Sequence, residues 1–267
     1  MSSESPNIGL AVNRRIGFQV VQHMIQSGSV PRILLVPKGR PADMWTAKTV
    51  DIFEKAAGNG RVQHGKSFRA AEGVARLAES NLDYLISIHF PYIVPAEVLE
   101  LPKIGTLNLH PAYLPYNRGW HTPSWAIADG TPYGATLHWM DEGVDTGDLA
   151  LQRQVEVLPN DTADSLYQRV LETEFELFQD ALPMILSGEL PQIPQSGLGT
   201  EHCKADLESY CELDLAAQQP VGQTLRKLRA LTTSSWDEAA SFVEDGVRYR
   251  VRVDIQPVEE SERKKAA

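Results

Sequence analysis

The sequence predicts an α/β fold, a mostly parallel sheet followed by a small appendage of one helix and one β-hairpin. Two patterns carry that prediction. Short β-branched or apolar runs alternate with helix-length segments from Asn7 to Ser187, which is the rhythm of βαβ units. Past a stretch rich in Pro, Gly, Gln and Ser, the chain resumes with a helical segment and two short strands around Glu244-Asp245-Gly246, a hairpin signal.

In chain order, a strand over Asn7 to Asn13 leads into a helix over Ile16 to Ser27, a strand over Ile33 to Pro37 and a helix over Trp45 to Ala57. A helix near Arg69 to Ser80 precedes the strand Tyr84 to Phe90, whose continuous apolar run suits a parallel strand buried on both faces. Further strands come at Gly105 to His110, Gly134 to Met140 and Asp148 to Val157. Asp161 opens a long helical stretch to Ser187, with Asp161, Thr162 and Asp164 as candidate caps. GELPQIPQSGLG, Gly188 to Gly199, reads as a linker. The expected organisation is a catalytic domain over 1–187, a connecting segment over 188–220 and a C-terminal piece over 221–267. That last piece holds a helix, Val221 to Leu231, and a hairpin, Ala239 to Ile255. The hairpin sets Val247, Tyr249, Val251 and Val253 against Arg248, Arg250 and Arg252. One face therefore wants burial, and a second copy of the chain is the expected partner.

With 267 residues and 42% hydrophobic content a sizeable core is available. The start, MSSESPNIGLAV, lacks the basic and apolar regions of a leader, and no window approaches the ~20 apolar residues of a membrane span. A cytoplasmic chain with no membrane partner is expected. Cys203 and Cys211, with His202 nearby, do not complete a zinc set, so free thiols and no metal are expected. The net charge of −10 argues against a broad grip on nucleic acid and so disfavours a tRNA substrate. A small phosphorylated ligand stays open, because a few arginines or a helix N-terminus hold a diphosphate locally.

The informative stretch is GTLNLHPAYLPYNRG, Gly105 to Gly119. Side chains two apart on a strand face the same way, so Asn108 and His110 project together at the carboxyl end of a strand, where open α/β sheets bind ligands. Their types suit acyl transfer to an amine: an amide donates to a tetrahedral oxyanion, and an imidazole removes the proton of the attacking amine. Taken alone, the pair has a structural alternative, in which the amide stabilises a turn and the imidazole satisfies a backbone group. A second run, GATLHWMDEGVDTGDLALQ, passes from a strand into a loop with Asp141, Asp145 and Asp148, which brings a carboxylate within reach of the imidazole.

NLHPAYLPYNRG followed by TLHWMDEGVDTGD resembles the folate-dependent formyltransferases, with the likeness strongest from Ser87 to Gln152. It implies a Rossmann-like formyltransferase fold in which Asn108 holds the oxyanion, His110 takes the amine proton, and Asp145 tunes the imidazole and orders water. LPYNRG with WHTPSWAI, and the tail with HCKADLESYCELDL, LRKLRALT and EDGVRYRVRV, is similar to the nucleotide-sugar N-formyltransferases. The implied reaction moves a formyl group from N10-formyltetrahydrofolate to the amine of a dTDP- or GDP-linked dideoxyamino sugar, in a homodimer and without a metal. SIHFPYIVP resembles the loop that packs on the pterin, which implies a folate site at Phe90, Pro91 and Ile93 with Asp141 and Gly143. Tyr116, Asn117, Arg118, Gly119 and Trp120 are the implied acceptor site, joined by Lys204 if the linker folds back. Where the family's tRNA enzymes carry a Gly-rich loop after the first strand, this chain has VNRRIG, Val12 to Gly17, and no role in phosphate or folate binding carries over.

Several residues keep two readings. His138 on GATLHWM is expected to be a satisfied core histidine outside the catalytic set. Arg118 suits either an anion or a surface ion pair. Trp120, His121 and Trp125 offer faces to a sugar or base, and packing under the following helix explains Trp125 equally well. The alternative functions are a methionyl-tRNA formyltransferase, a formyltetrahydrofolate hydrolase, or a folate- or nucleotide-sugar-binding protein without turnover.

Overall fold

The computed structural model describes residues 5–38 and 44–258; the opening MSSE and the charged SERKKAA end lie outside them. The first half runs β1 (Ile8–Val12), α1 (Arg14–Gln26), β2 (Ile33–Val36), α2 (Met44–Ala57), β3 (Val62–His64), α3 (Ala71–Glu79), β4 (Tyr84–Ile88), α4 (Ala96–Leu99) and β5 (Gly105–His110). The chain continues through β6 (Arg118–Gly119), α5 (Thr122–Asp129), β7 (Tyr133–Trp139), β8 (Leu149–Val155) and α6 (Ala163–Ser187). The tail holds β9 (Glu201–His202), α7 (Lys204–Tyr210), α8 (Val221–Ala230), β10 (Ala240–Glu244) and β11 (Val247–Val251).

Seven strands form one sheet in the order β3-β2-β1-β4-β5-β7-β8. Pairings from β3 to β5 are parallel, and every residue of β1, β2 and β4 is buried. These are the strands that the sequence leaves without polar alternation, as burial on both faces requires. The fold is therefore α/β with a mostly parallel sheet and a C-terminal helix and hairpin. β7 and β8 depart from the βαβ rhythm, because β7 pairs antiparallel with both β5 and β8. The loop from β7 to β8 is too short for a crossover helix, so an antiparallel pair is the available geometry. The short β3, β6, β9, α4 and α7 carry too little periodicity to be read from sequence.

Chain order reverses between β1 and β4, so the strands' carboxyl ends open a crevice at Asn13 and His89. α1 and α6 pack on one face with Ile16, Val20, Val21, Val170, Leu177 and Phe178 in the core, and α3 and α4 cover the other with Leu77 and Val98. The Pro- and Gln-rich stretch after α6 lies along the sheet. Ile193 bridges Leu149, Thr200 bonds the backbone of Asn117, and β9 pairs with β6. The tail docks on the start of α6 through the Arg229 guanidinium, which donates to the carbonyls of Leu158 and Asp161. β10 and β11 pair across Phe242 and Tyr249, whose rings stack at 5.3 Å. Val251 is half-buried against Trp125, Leu207 and Leu231, whereas Val247 and Tyr249 are 50% and 46% exposed.

α6 begins in a reciprocal cap: Thr162 Oγ1 accepts from the Ser165 N–H, and Ser165 Oγ accepts from the Thr162 N–H. Losing an N-cap hydroxyl costs ~1 kcal/mol. Thr162→Ala is expected to lower the urea midpoint by that amount divided by an unchanged slope.

Candidate functional site

A cleft of about 640 Å³ opens along the carboxyl ends of β1, β4 and β5. Asn108 and His110 both line it, as their spacing on β5 requires. The loop after β7 turns back so that Asp145, at φ 53°, reaches under them. Its carboxylate is the hub of the site. One oxygen stands 3.4 Å from His110 Nε2 and accepts the Gly119 N–H at 2.9 Å. The other accepts from Asn108 Nδ2 at 3.3 Å and lies 3.4 Å from His138 Nε2.

The His110 Nε2 also faces the Asn117 carbonyl at 3.4 Å. A carboxylate and a carbonyl only accept, so Nε2 carries the proton and Nδ1 is the basic nitrogen of the neutral ring. Burial pulls the His110 ring below the ordinary imidazole range, against the upward pull of the Asp145 carboxylate. Burial alone would raise the Asp145 carboxyl, but the His110 and His138 rings and the Gly119 N–H outweigh it and hold it well below the usual carboxylate range. The site thus pairs an ionised carboxylate with an imidazole that is neutral near pH 7, the state a general base needs.

His138 is buried with its ring satisfied, as expected of a core histidine, and it also lines the cleft beside Asn108. The antiparallel register sets it opposite Asn108. Nδ1 donates to the Trp139 carbonyl at 2.8 Å and Nε2 is turned to Asn108 and Asp145. Its ring meets that of His110 edge to face at 6.2 Å. Gln195, from the stretch read as a linker, donates to the carbonyls of Asp145 at 2.8 Å and Gly147 at 2.7 Å and pins the loop.

The other sequence candidates divide. Pro91 and Ile93 line the cleft, and Ile93 is 82% exposed. Phe90 also lines it but packs with Phe68 and Tyr92. Asp141 accepts from the Gly143 N–H and Thr146 hydroxyl, closing the loop that forms the opposite lip. A Cβ on Gly143 would stand 2.0 Å from Thr146 Oγ1, so the turn requires glycine. Gly119, Trp120 and Lys204 line the far end of the cleft. β9 pairs with β6 to bring Lys204 there, and a Cβ on Gly119, at φ 89°, would stand 2.3 Å from the His202 carbonyl.

Tyr116, Asn117 and Arg118 are the corrections, since none lines the cleft. The Asn117 side chain is buried, donating to the Pro132 carbonyl and accepting from the Thr131 hydroxyl. Arg118 turns inward, with Nε buried and unpaired among the described residues. Trp125 is buried and stacked on His202 at 3.9 Å. No three His, Cys, Asp or Glu side chains among the described residues are grouped to hold a metal.

Residues 21–182, which include Asn108, His110 and Asp145, match the model of the formyl transferase family. The chain belongs to that family. Residues 206–257 match the N-formyltransferase dimerization C-terminal domain. A dTDP-4-amino-4,6-dideoxyglucose formyltransferase of Mycobacterium tuberculosis is 31% identical over 192 residues, covering 72% of this chain and 81% of that protein. A methionyl-tRNA formyltransferase of Myxococcus xanthus is 33% identical over 197 residues, covering 73% of this chain and 62% of that one. In fold, a sugar N-formyltransferase from a Shewanella species superposes with a TM-score of 0.80 at 21% identity, over 95% of this chain and 99% of that one. The protein is a formyltransferase by family, and the site lies within the region shared with both curated relatives.

The electrostatic account can be checked without a substrate. The His110 ring, tracked by NMR, is expected to titrate below the ordinary imidazole range. Asp145→Asn removes the upward pull of the carboxylate, so the midpoint moves to still lower pH. An unmoved midpoint would mean that the two groups are not coupled.

Proposed function

We propose that this formyltransferase moves the formyl group of N10-formyltetrahydrofolate to the amine of a nucleotide-linked amino sugar, with Asn108, His110 and Asp145 at the reacting centre. The observation that carries the reading is the Asp145 carboxylate held between the His110 ring and the Asn108 amide in one cleft. The folate, when bound, supplies an activated formyl carbonyl whose oxygen becomes an oxyanion on attack. The cleft has features that fit it: an exposed apolar lip at Pro91 and Ile93 faces a turn held by Asp141 and Gly143. Asn108 supplies the amide donor: one N–H, given to Asp145, fixes the amide plane, and the other, which faces His138 Nε2 at 3.2 Å, is the one that passes to the oxyanion. His110, neutral at working pH, takes the amine proton at Nδ1 and becomes a charged ring beside Asp145; as the bond from the formyl carbon to the folate nitrogen breaks, that proton passes to the departing nitrogen and the ring is neutral again.

A sugar nucleotide is favoured over tRNA as acceptor. The chain's net charge of −10 offers no broad electrostatic surface to a polynucleotide. The Mycobacterium tuberculosis relative is named for a dTDP-linked 4-amino sugar, and an Anoxybacillus kamchatkensis formyltransferase, 30% identical, has been crystallised with a UDP-linked 4-formamido sugar and tetrahydrofolate. Both names support a nucleotide-linked 4-amino-4,6-dideoxy sugar here, and the first supports dTDP as the nucleotide. Trp120, half-exposed at the far end of the cleft, offers a face for the sugar or base, and Lys204 a cation for the diphosphate.

Asn108→Ala and His110→Ala are each expected to lower turnover about a hundredfold or more. The measurement is the mass gain of one formyl group on a panel of dTDP-linked amino sugars at saturating formyl-folate. Near-normal turnover in either variant would remove the role assigned to that residue.

We infer further that the hairpin pairs two copies of the chain. The exposed apolar pair is Val247 and Tyr249, since Val251 is turned toward the tail's own core. Tyr249→Glu is expected to convert a dimer to a monomer in sedimentation at micromolar concentration. A wild-type monomer under those conditions would defeat the inference.

A further inference from the structure

Glu174 is the least expected side chain in α6. It lies on the buried stripe between Val170 and Leu177 and is 0% exposed. A leucine there would fill the stripe without the cost of desolvating a carboxylate, and buried ion pairs are weak contributors to stability. Both Glu174 oxygens stand 2.9 Å from His89 Nε2. His89 is itself held at φ 51°, the left-handed region, at the switch point between β1 and β4. A carboxylate only accepts, so Nε2 carries a proton and Nδ1 is turned to the Tyr167 hydroxyl at 3.1 Å. Tyr167 in turn accepts from Arg14 Nη1 at 3.0 Å, and the guanidinium carbon lies 5.8 Å from the ring centroid.

The chain of contacts runs from a fully buried carboxylate to an exposed guanidinium at the mouth of the cleft, which His89, Tyr167 and Arg14 all line. Among the described residues no carboxylate stands within ion-pair distance of Arg14. Its side chain donates to Tyr167, which leaves most of a guanidinium's five N–H groups for a ligand. Burial pushes the Tyr167 hydroxyl up to about 12, so it keeps the proton that it donates to His89 Nδ1, and its oxygen accepts from Arg14. Asp164 lines the same wall, and Lys204 lines the cleft as a second cation.

We propose that Arg14 forms an oxyanion-binding point at the mouth of the cleft, and that Tyr167, His89 and Glu174 are positioning residues that hold its guanidinium in place. The proposal deepens the formyl-transfer reading and rests on it for the identity of the ligand. Two anionic groups of the proposed substrates share the required chemistry, the diphosphate of the nucleotide and the carboxylates of the folate tail. The forked, charged donor of Arg14 suits either one.

The test is calorimetric titration of the full-length protein with dTDP, with 5-formyltetrahydrofolate and with inorganic pyrophosphate. Arg14→Gln is expected to weaken one class of probe by about tenfold or more, the scale of a lost charge-assisted hydrogen bond, and Tyr167→Phe, which frees the guanidinium from its acceptor, to weaken the same probe to a smaller extent. Loss on dTDP and pyrophosphate identifies the diphosphate; loss on the folate alone identifies its tail. His89→Phe should weaken the same probe, and His89→Gln should restore part of it, because an amide can donate to Glu174 and accept from Tyr167. Variants that bind every probe as the wild type does would overturn the proposal alone. A wild type that binds none of the three would overturn both it and the formyl-transfer reading. If His89→Gln binds no better than His89→Phe, the positioning role falls. Should His89→Phe fail to fold, the Arg14 and Tyr167 variants still decide the binding point.

Discussion

The Asp145 side chain, only 14% exposed, has to be solvated by the protein itself. Burying a carboxylate without donors costs several kcal/mol, so each of its lone pairs constrains something around it. The Gly119 N–H ties it to the segment that leads into α5, His110 and Asn108 tie it to β5, and the His138 ring of β7 lies alongside at 3.4 Å. Its own backbone sits in the left-handed region and is kept there by Gln195 from the tail. Four separate parts of the chain therefore meet at one charge. The same contacts that satisfy the carboxylate orient the two groups proposed to carry out the chemistry, so stability and preorganisation are here one requirement.

How much the sequence disclosed depends on how local each signal is. β5 was legible to its end residues, and with it the shared orientation of Asn108 and His110, because a strand's alternation is a two-residue property. Thr162 was among the candidate caps for the same reason. The antiparallel turn of β7 was not legible, since strand direction is set by the connection and the sheet rather than by composition. With that direction went His138, whose place opposite Asn108 exists only in the antiparallel register. Asn117 and Arg118 look like ligand groups in a linear motif, but a turn aims them at Pro132, Thr131 and the interior. Glu174 did leave a trace: it is the one acid on the apolar stripe of α6, and a charge at such a position asks for a partner. That the partner is His89, on another element, only the fold could reveal.

The stretch after α6 illustrates the limit of composition as a guide. Its Pro, Gly and Gln content is that of a linker, and it shows no hydrophobic period. Yet it is ordered, beyond the buried Leu190, by polar contacts: Ile193 by backbone pairing with Leu149, Gln195 by two carbonyls of the Asp145 loop, and Thr200 by the Asn117 N–H. A segment held in place chiefly through hydrogen bonds to backbone groups carries no binary pattern to read.

This stretch also separates the two walls of the cleft by origin. The wall with Pro91, Ile93, Asp141 and Gly143, proposed to face the folate, comes from residues 21–182, the part matched by the family model. Much of the other end, including Lys204, Thr233, Ser234, Ser235 and Glu238, comes from chain beyond that match. In the proposed reading the common donor meets the common wall, and the acceptor meets groups delivered by the tail. A family that keeps one formyl donor and changes acceptors then needs to alter chiefly the chain beyond α6. Arg229 docks α8 onto the carbonyls of Leu158 and Asp161, just ahead of the helix that carries Tyr167, and so links that tail rigidly to the cleft. In that reading an acceptor bound against the tail would be held in register with Asn108 and His110.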